Sequence, residues 1–390
     1  MRCTSRHLHI NAINAASAAE VVSSCIDAVH RGRAAEVFPQ LSNLKAKHVF
    51  VKGVDYARAL CLLSGGVQGG IMEARQCLLE ELRLHPQHQK AWLLLHEVNE
   101  LVHPLLLPPP EIRKQHPLFA LLCDSLLDST MLSWPRLYRL YEATERLARN
   151  GREKDCGHIV ECGTAGGGSA VLMAVVLAET EATIWGGSAQ QRRVFALDTF
   201  AGMPPPGSED SLAQPRVPSS ADAGDVANSG TASWGTGTCC SPAAHVQQLA
   251  HNFSVEDRLV LLPGLFHTSI RGQLLARPDI QHDGIALLHV DADWYASTRT
   301  ALELLVPVMR RRDEEVPFDP SSHKCASYPP RLVQVDDYHY WKGCRAAVDE
   351  FLAGWPSASS SQTAPLLEDV DDNAIVFTVH RDTPFSVGRE

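Results

Sequence analysis

Paired carboxylates follow two apolar runs in the second half of the chain. LLHVDADWY places Asp291 and Asp293 after one run, and LVQVDDYHYW places Asp336 and Asp337 after another. Because residues i and i+2 of a strand face the same side, Asp291 and Asp293 are predicted to project together. Four carboxylates at one edge would repel one another without a cation between them. Hard divalent cations such as Mg²⁺, Mn²⁺ or Ca²⁺ prefer oxygen ligands, so the motifs predict a metal site.

A glycine-rich turn follows an earlier apolar run, in GHIVECGTAGGGSA. The run ends at Glu161 and Gly163, and the glycines 166–168 are predicted to open a helix whose free N–H groups suit a ligand. The spacing departs from the dinucleotide fingerprint G-x-G-x-x-G. The next acid at a strand end, Asp198, comes 35 residues after Gly163. An acid there typically binds ribose hydroxyls, so a nucleoside ligand is predicted. Glycines that only let the helix pack on the strand are the alternative.

These motifs lie in a region where apolar runs alternate with helical segments. From residue 157 the runs are HIVECG, RVFALD, RLVLLPG, IALLHVD, RLVQVD and AIVFTVH. This alternation predicts an α/β fold with a mostly parallel sheet covered on both faces, and ligands of such sheets bind at the carboxyl ends of the strands. A turn at 371–373 predicts a final antiparallel hairpin. The Gly-, Pro- and Ser-rich stretch 202–243 is predicted to be a mobile loop or lid.

Residues 1–107 have a different texture and are predicted to form an all-α accessory domain. Ala74, Pro86 and Trp92 fall at the offsets of a tetratricopeptide repeat, over about one and a half repeats. Three prolines at 108–110 begin a linker, helices occupy the rest of 108–156, and the catalytic domain is predicted over 157–390. The N-terminal helices are a candidate binding surface for a protein partner.

The composition excludes several classes of protein. With 45% hydrophobic and 21% charged residues, disorder throughout is excluded. The net charge of −10 argues against a nucleic-acid partner, and the lack of an 18-residue apolar run argues against a membrane span. The 11 cysteines, without a CxxC pair, predict reduced thiols. A cytoplasmic location is expected, with a plastid or mitochondrion as the alternative because acids are absent before Glu20.

Taken together, the motifs resemble the macrocin O-methyltransferase (TylF/MycF) family of S-adenosylmethionine-dependent sugar O-methyltransferases. The similar stretches, in the family's order over about 130–380, are TMLSWPRLYRLYEATERL, HIVECGTAGGGSA, FALDTFAGMP, GLFHTSI, LLHVDADWYASTRTALELL and VDDYHYWKGCRAAVDEFL. The resemblance implies a Rossmann-like class I methyltransferase with a seven-stranded sheet. It also implies S-adenosylmethionine as methyl donor and Mg²⁺, or another hard divalent cation, as cofactor.

The resemblance further implies roles for individual residues. Asp291, Asp336 and Asp337 match the metal-binding acids of the family, and Asp293 matches the acid proposed as general base. The residues that match the donor site are Glu161, Gly163, Gly167, Gly168, Ser169, Asp198, Thr199 and Phe200.

The predicted reaction is methyl transfer to a hydroxyl of a sugar-like or diol-bearing small molecule. A cation lowers the pKa of a bound hydroxyl, and Asp293 would take the proton. The polar insertion 310–330 departs from the family, so the acceptor is not transferable, and a homo-oligomer remains open. Two alternatives remain: a glycosyltransferase that uses Asp291 and Asp293 as a DxD motif, and a scaffold with a vestigial methyltransferase domain.

Overall fold

The chain of this computed structural model divides into two compact units, Met1–Leu107 and Pro108–Glu390. Each unit has hydrophobic clusters of its own, and each is described by itself below. The structure describes residues 18–47, 50–68, 70–102, 106–150, 157–186, 192–211, 235–309, 331–356 and 364–379.

The first unit consists of helices that pack on their neighbours in sequence. Helix α1 spans 18–30 and is followed by α2 (Ala34–Lys47), α3 (Val54–Leu63), α4 (Ile71–Leu84) and α5 (Gln89–Val102). α3 packs on α2 and α4, and α4 packs on α5. Apolar side chains at helical spacing bury themselves between these helices. The predicted helical N-terminal region is therefore confirmed.

The hairpin of α4 and α5 contains the three positions that resemble a tetratricopeptide repeat. The indole N–H of Trp92 donates a hydrogen bond to the carbonyl oxygen of Pro86 at 2.8 Å, and Ala74 is fully buried. These contacts close one helical hairpin. A repeat array stays a prediction, because one pair does not establish a period.

Three helices open the second unit: α6 (Pro110–Gln115), α7 (Pro117–Leu126) and α8 (Trp134–Arg149). The sequence predicts one helical stretch over about 116–149, whereas the structure interrupts it at 127–133 with a 3₁₀ turn and extended residues. Pro135 explains the interruption, since proline fits the first turn of a new helix but cannot continue an older one. α7 and α8 share an apolar cluster with the sheet.

Seven strands form one sheet in the order β3-β2-β1-β4-β5-β7-β6. They are β1 (His158–Cys162), β2 (Val194–Asp198), β3 (Leu259–Pro263), β4 (Ile285–Val290), β5 (Arg331–Val335), β6 (Glu368–Asp369) and β7 (Ile375–Val379). The first five strands are parallel, whereas β7 runs antiparallel to both β5 and β6. The predicted Rossmann-like sheet with a C-terminal antiparallel hairpin is confirmed.

Helices cover both faces of this sheet. They are α9 (Gly168–Trp185), α10 (Ala243–Asn252), α11 (Phe266–Ser269), α12 (Pro278–Asp283), α13 (Tyr295–Leu305) and α14 (Lys342–Ala353). Neighbouring residues of β1 enter opposite apolar clusters: Ile159 packs with α8 and α9, and Val160 packs with α13 and α14. Burial on both faces explains why the strands read as continuous apolar runs.

Among the described helices, α9 alone is long and apolar enough to cross a membrane. In the structure 67% of it is buried inside the protein, where it packs as a core helix. Two segments singled out from the sequence lie partly or wholly outside the described residues. Of the loop 202–243 the structure describes 202–211 and 235–243, and the insertion 310–330 lies outside.

Candidate functional site

A cavity of about 990 Å³, partly open to solvent, lies at the carboxyl ends of the parallel strands. Its wall includes the residue at or just after the end of each of four strands: Gly163 after β1, Asp198 on β2, Asp291 after β4 and Asp337 after β5. The motifs singled out from the sequence therefore meet at one place, as the direction of parallel strands requires.

Gly163 permits the ends of β1 and β4 to converge. Its backbone is left-handed, with φ +91°, and an ideal Cβ would overlap the carbonyl oxygen of Asp291. The N–H of Asp291 donates to the carbonyl oxygen of Cys162 at 2.8 Å. Only glycine satisfies both the backbone angle and the space, so this residue brings the acidic motif beside the loop after β1.

Asp198 organises the loop that follows β1. Its Oδ2 accepts hydrogen bonds from the backbone N–H groups of Thr164 (2.9 Å) and Ala165 (3.0 Å), and its Oδ1 accepts one from Phe200 (2.8 Å). Asp198 thereby joins the loops after β1 and β2 into one wall of the cavity. Its carboxylate reaches the cavity at the position where dinucleotide folds bind ribose hydroxyls.

Three carboxylates form a cluster on the other side of the cavity. Oxygens of Asp291, Asp293 and Asp337 all lie within 4.8 Å of one another. Burial raises the pKa of Asp291 well above its usual range, and the charges of Asp336 and Asp337 raise it further. Asp293 and Asp337 both have left-handed backbones, with φ +55° and +64°, a conformation that is costly for residues other than glycine.

Asp336 lies behind this cluster and is fully buried. It accepts hydrogen bonds from Arg136 Nη1 at 3.1 Å and from Gln334 Nε2 at 3.2 Å. Burial alone would raise the pKa of Asp336, but the Arg136 guanidinium and the hydrogen-bonded His289 lower it below its usual value. Asp336 is therefore a carboxylate rather than a carboxylic acid.

His289 bridges two buried carboxylates on neighbouring strands. Its Nδ1 lies 3.0 Å from Glu161 Oε1, and its Nε2 lies 3.4 Å from Asp336 Oδ1. Burial alone would lower the pKa of His289, but the hydrogen bonds to Asp336 and Glu161 raise it to about 10. His289 is thus an imidazolium that donates through both ring nitrogens.

Arg136 connects α8 to the turn between β6 and β7. Its Nε lies 3.0 Å from Asp371 Oδ2 and donates to Ser133 Oγ at 3.1 Å. The other oxygen of Asp371 accepts the backbone N–H groups of Asn373 and Ala374, both at 2.9 Å. Because Arg136 also lines the cavity, a helix that precedes the sheet in sequence supplies part of the site.

A pair of buried tryptophans supports Asp293. The indole N–H of Trp341 donates to Asp293 Oδ1 at 3.1 Å, and the ring of Trp341 packs edge-on against Trp294 with centroids 5.0 Å apart. Trp294 in turn donates its N–H to the carbonyl oxygen of Pro204 at 2.9 Å. The orientation of one Asp293 oxygen is therefore fixed by the aromatic core.

Half of the residues predicted for the site lie behind the cavity wall. Glu161 points into the sheet core towards His289, and ideal Cβ atoms on Gly167 and Gly168 would strike α10 and the 127–133 connection. These glycines let α9 pack closely, and their assignment to the donor site stays a prediction. The predicted residues in the wall are Gly163, Asp198, Thr199, Asp291, Asp293 and Asp337, and those behind it are Glu161, Gly167, Gly168, Ser169, Phe200 and Asp336.

Sequence reasoning missed Arg136 and His289 as contributors to the site. His289 carried a usable signal, since a polar residue inside the apolar run LLHV requires a buried partner. Arg136 carried none, because its partner Asp336 lies 200 residues away. The ring nitrogens of His339, a rim residue outside the cavity wall, contact Asp369 (2.8 Å) and Arg345 (2.7 Å).

The sheet order, the close approach of β1 and β4 and the acid at the end of β2 define a Rossmann-like methyltransferase. The family model described as Macrocin-O-methyltransferase (TylF) matches residues 124–311. The chain is an S-adenosylmethionine-dependent O-methyltransferase. Residues 124–311, just under half of the chain, are thus similar to the macrocin O-methyltransferase family.

Among characterised proteins, the chain is similar to 8-demethyl-8-(2,3-dimethoxy-alpha-L-rhamnosyl)-tetracenomycin-C 4'-O-methyltransferase of Streptomyces olivaceus. The two are 28% identical over 226 residues, which cover 57% of this chain and 67% of the relative. Solved structures with similar folds include the O-methyltransferase NovP (22% identity, 65% of this chain and 83% of that one, TM-score 0.44). Another is an O-methyltransferase from Bacillus cereus in complex with SAH (14% identity, 73% and 97%, TM-score 0.34).

Proposed function

We propose that the protein methylates a hydroxyl of a sugar-like or diol-bearing small molecule, with Asp293 as general base and a hard divalent cation, Mg²⁺ first, at the acidic cluster. The observation that carries this proposal is the position of the Asp291–Asp293–Asp337 cluster in the same cavity as Asp198. Donor and acceptor would thus meet in one cavity, where positioning supplies much of the rate.

The donor end of the cavity is assigned to the loops after β1 and β2. Asp198 is held by backbone N–H groups on both loops and faces the cavity, so it suits the ribose hydroxyls of S-adenosylmethionine. Gly163 lines the cavity on the loop after β1, where the methionine portion would pass. Thr199 lines the cavity beside Asp198.

The residues present fit a hard divalent cation. Three carboxylates with oxygens within 4.8 Å of one another, and a raised pKa at Asp291, describe an oxygen-rich site whose charges repel. We assign Asp291 and Asp337 of this cluster as residues that would hold the cation, together with Asp336 behind them, which has an oxygen within 4.8 Å of one of Asp291. Arg136 and His289 keep Asp336 ionised for that role. When bound, such a cation acidifies a coordinated hydroxyl.

The chain's own residues account for the proton and for the geometry. The acceptor oxygen forms a bond to the methyl carbon while the bond from that carbon to the donor sulfur breaks, which leaves S-adenosylhomocysteine. The hydroxyl proton passes to the carboxylate of Asp293, which belongs to the same cluster. Trp341 holds Oδ1 of Asp293, so the carboxylate faces the cavity in a fixed orientation.

A glycosidic acceptor is supported by the name of the Streptomyces olivaceus relative, which acts at a rhamnosyl group. A vicinal diol could bind through two oxygens and thereby orient the reacting one. We therefore include methyl α-L-rhamnoside and catechol as the first acceptor probes. They differ in acidity and shape but share adjacent hydroxyls.

The first experiment is calorimetric titration of S-adenosylhomocysteine into the protein, with and without Mg²⁺. Binding is expected in both conditions, and Asp198→Ala should weaken it at least about tenfold because the ribose loses its acceptor. Asp291→Asn is the matched control, since it should keep donor binding while any effect of Mg²⁺ disappears. A folded protein that binds UDP-sugars and no S-adenosylhomocysteine would instead support the DxD glycosyltransferase.

A further inference from the structure

Residues 203–211, called the wall segment from here on, run from the loop after β2 to the starts of α13 and α14. Met203 and Pro204 line the cavity, whereas Asp210 near the other end of the segment contacts the helix that follows the acidic motif. The roles proposed above for the donor site and the cation site do not account for this segment.

The beginning of the wall segment is fixed by the returning chain at 235–238. The N–H of Met203 donates to the carbonyl oxygen of Thr238 at 2.8 Å, and the N–H of Gly237 donates back to Met203 at 2.9 Å. These two backbone hydrogen bonds tie Met203 to the turn at 235–238. They fix the backbone of Met203 at the point where this residue lines the cavity.

The next fixed point is the carbonyl oxygen of Pro204. It accepts the indole N–H of Trp294 at 2.9 Å, and Trp294 directly follows Asp293. Trp294 is only 3% exposed, so its position is set by the core and not by the segment. Pro204 is therefore held next to the acidic motif in the cavity wall.

Asp210 fixes the end of the segment. Its Oδ1 accepts the N–H of Tyr295, the first residue of α13, at 2.7 Å, and its Oδ2 accepts the N–H of Gly207 at 2.7 Å. The first N–H groups of a helix lack partners within the helix, and a carboxylate there is favoured by the helix dipole. Asp210 is half-buried, whereas residues 205–209 are exposed.

A second helix start meets the same carboxylate. An ideal Cβ on Gly343, the second residue of α14, would overlap Asp210 Oδ1, and the N–H of Lys342 donates to the carbonyl oxygen of Ser211 at 2.9 Å. Helices α13 and α14 follow the two acidic motifs. Asp210 and its neighbour therefore tie the wall segment to both elements that position the carboxylate cluster.

We infer that Asp210 is a positioning residue for the acceptor: it holds the wall segment so that Met203 and Pro204 form the surface against which the acceptor's body rests beside Asp293. This inference rests on the proposed function, because it assigns the acceptor to the acidic end of the cavity. Met203 and Pro204 offer apolar surface and no charge. The surface therefore suits the uncharged ring of a sugar or catechol rather than a phosphorylated acceptor.

The structure supplies two independent ways to release the wall segment. Asp210→Ala removes the carboxylate, and Gly343→Ala inserts a Cβ where that carboxylate lies. In the variant that carries both changes, Gly343→Ala meets no carboxylate from position 210. It should therefore have no effect beyond that of Asp210→Ala. Asp279→Ala is the matched control, because Asp279 is also an acid in the first turn of a helix, α12, but it precedes β4 at the opposite edge of the sheet.

Three readouts separate positioning from general damage. Hydrogen exchange of the Tyr295 and Gly207 amides should accelerate about tenfold or more in Asp210→Ala and in Gly343→Ala, since each amide loses its acceptor. The KM for methyl α-L-rhamnoside or catechol should rise about tenfold. The dissociation constant of S-adenosylhomocysteine should stay within about twofold, and Asp279→Ala should match the wild type in all three.

The outcomes distinguish this inference from the proposed function. If both single variants keep wild-type exchange and wild-type KM in an active enzyme, Asp210 does not position the acceptor and the inference is wrong, while the proposed function stands. If the wild type binds no S-adenosylhomocysteine, the proposed function fails. If the wild type binds S-adenosylhomocysteine but methylates neither probe, the exchange data alone decide. Faster exchange of the Tyr295 and Gly207 amides in both variants supports the inference, and unchanged exchange overturns it.

Discussion

At the scale of single residues, the site depends on how a carboxylate is held as much as on its presence. Asp293 and Asp336 are both acids at strand ends, yet their surroundings differ. Asp293 reaches the cavity and is oriented by an indole N–H, whereas Asp336 is buried against Arg136 and His289. Their replacement should therefore have different consequences.

Asp293→Asn should abolish turnover while donor binding stays near normal. Asparagine keeps the shape but cannot accept the hydroxyl proton, and loss of a general base typically costs about 10²–10⁴ in rate. The measurement is single-turnover methylation of methyl α-L-rhamnoside beside calorimetry with S-adenosylhomocysteine. Turnover retained within a few-fold would remove the base assignment.

Trp341→Phe should lower kcat about tenfold or more without weakening the donor complex. The phenyl ring keeps the packing against Trp294 but loses the N–H that holds Asp293, and a hydrogen bond to a charged group contributes about 1.5–3 kcal/mol. Trp355→Phe is the control, since Trp355 packs on Phe351 and Phe377 after the end of α14. Equal losses in both variants would indicate general damage to the core.

At the scale of elements, charged groups link α8, β1, β4 and β5 beneath the cavity. His289 lies between Glu161 on β1 and Asp336 just after β5, and Arg136 reaches Asp336 from α8. A buried ion pair contributes little over apolar packing, but removal of one partner leaves an uncompensated charge. These contacts therefore fix the positions of these elements relative to one another.

His289→Gln should destabilise the fold by about 3–5 kcal/mol at neutral pH, because the buried carboxylates of Glu161 and Asp336 lose the imidazolium between them. His339→Gln, which removes a rim ion pair with Asp369, should cost about 0–1 kcal/mol. Urea unfolding of both variants gives the comparison. Similarly small losses of unfolding free energy in both variants would mean that His289 does not form a charged contact with its two buried carboxylates.

The pH dependence of stability follows from the same residue. Folding raises the pKa of His289 from 6.5 to about 10, so the folded state binds this proton more tightly than the unfolded state. The stabilisation is complete below pH 6.5 and is lost as the pH rises through about 10. Urea midpoints of the wild type should fall over that range more steeply than those of His289→Gln. Parallel curves of urea midpoint against pH for the two proteins would contradict the raised pKa of His289.

The sequence predicts that the acids meet at one edge of the sheet, whereas the residues that hold those acids in place were not predictable. The acids after β4 and β5 and Asp198 on β2 lie at one edge because parallel strands share a direction. Arg136 and Asp210 act across 200 and 85 residues of sequence, a separation over which no local pattern operates. The close packing of Gly167 and Gly168 on Val246 and Ser129 was not predictable either, because those neighbours are distant in sequence.

At the scale of the whole molecule, each unit has its own core. The apolar clusters of residues 1–107 and of residues 108–390 contain no shared members. All the site residues described above belong to the second unit. The helices α6 to α8 also belong to it, since the cluster against the sheet includes residues of α7 and α8.

A chain restricted to residues 108–390 should fold and bind S-adenosylhomocysteine within about twofold of the full-length protein. Its core is complete without the first unit, and α8 supplies Arg136. Far-UV circular dichroism and calorimetry give the test. An insoluble or non-binding fragment would show that the N-terminal helices are needed for folding, whereas an active one leaves them available for a partner.

The left-handed backbones of Asp293 and Asp337 imply a trade-off between heat resistance and catalysis. Each residue holds a conformation that costs of order 1 kcal/mol, and each adds negative charge to the same cluster. Asparagine tolerates that conformation and removes the charge, so Asp337→Asn should melt at a higher temperature than the wild type in metal-free buffer. A library selected for thermal survival alone would therefore accumulate inactive enzymes, with substitutions concentrated at these two positions.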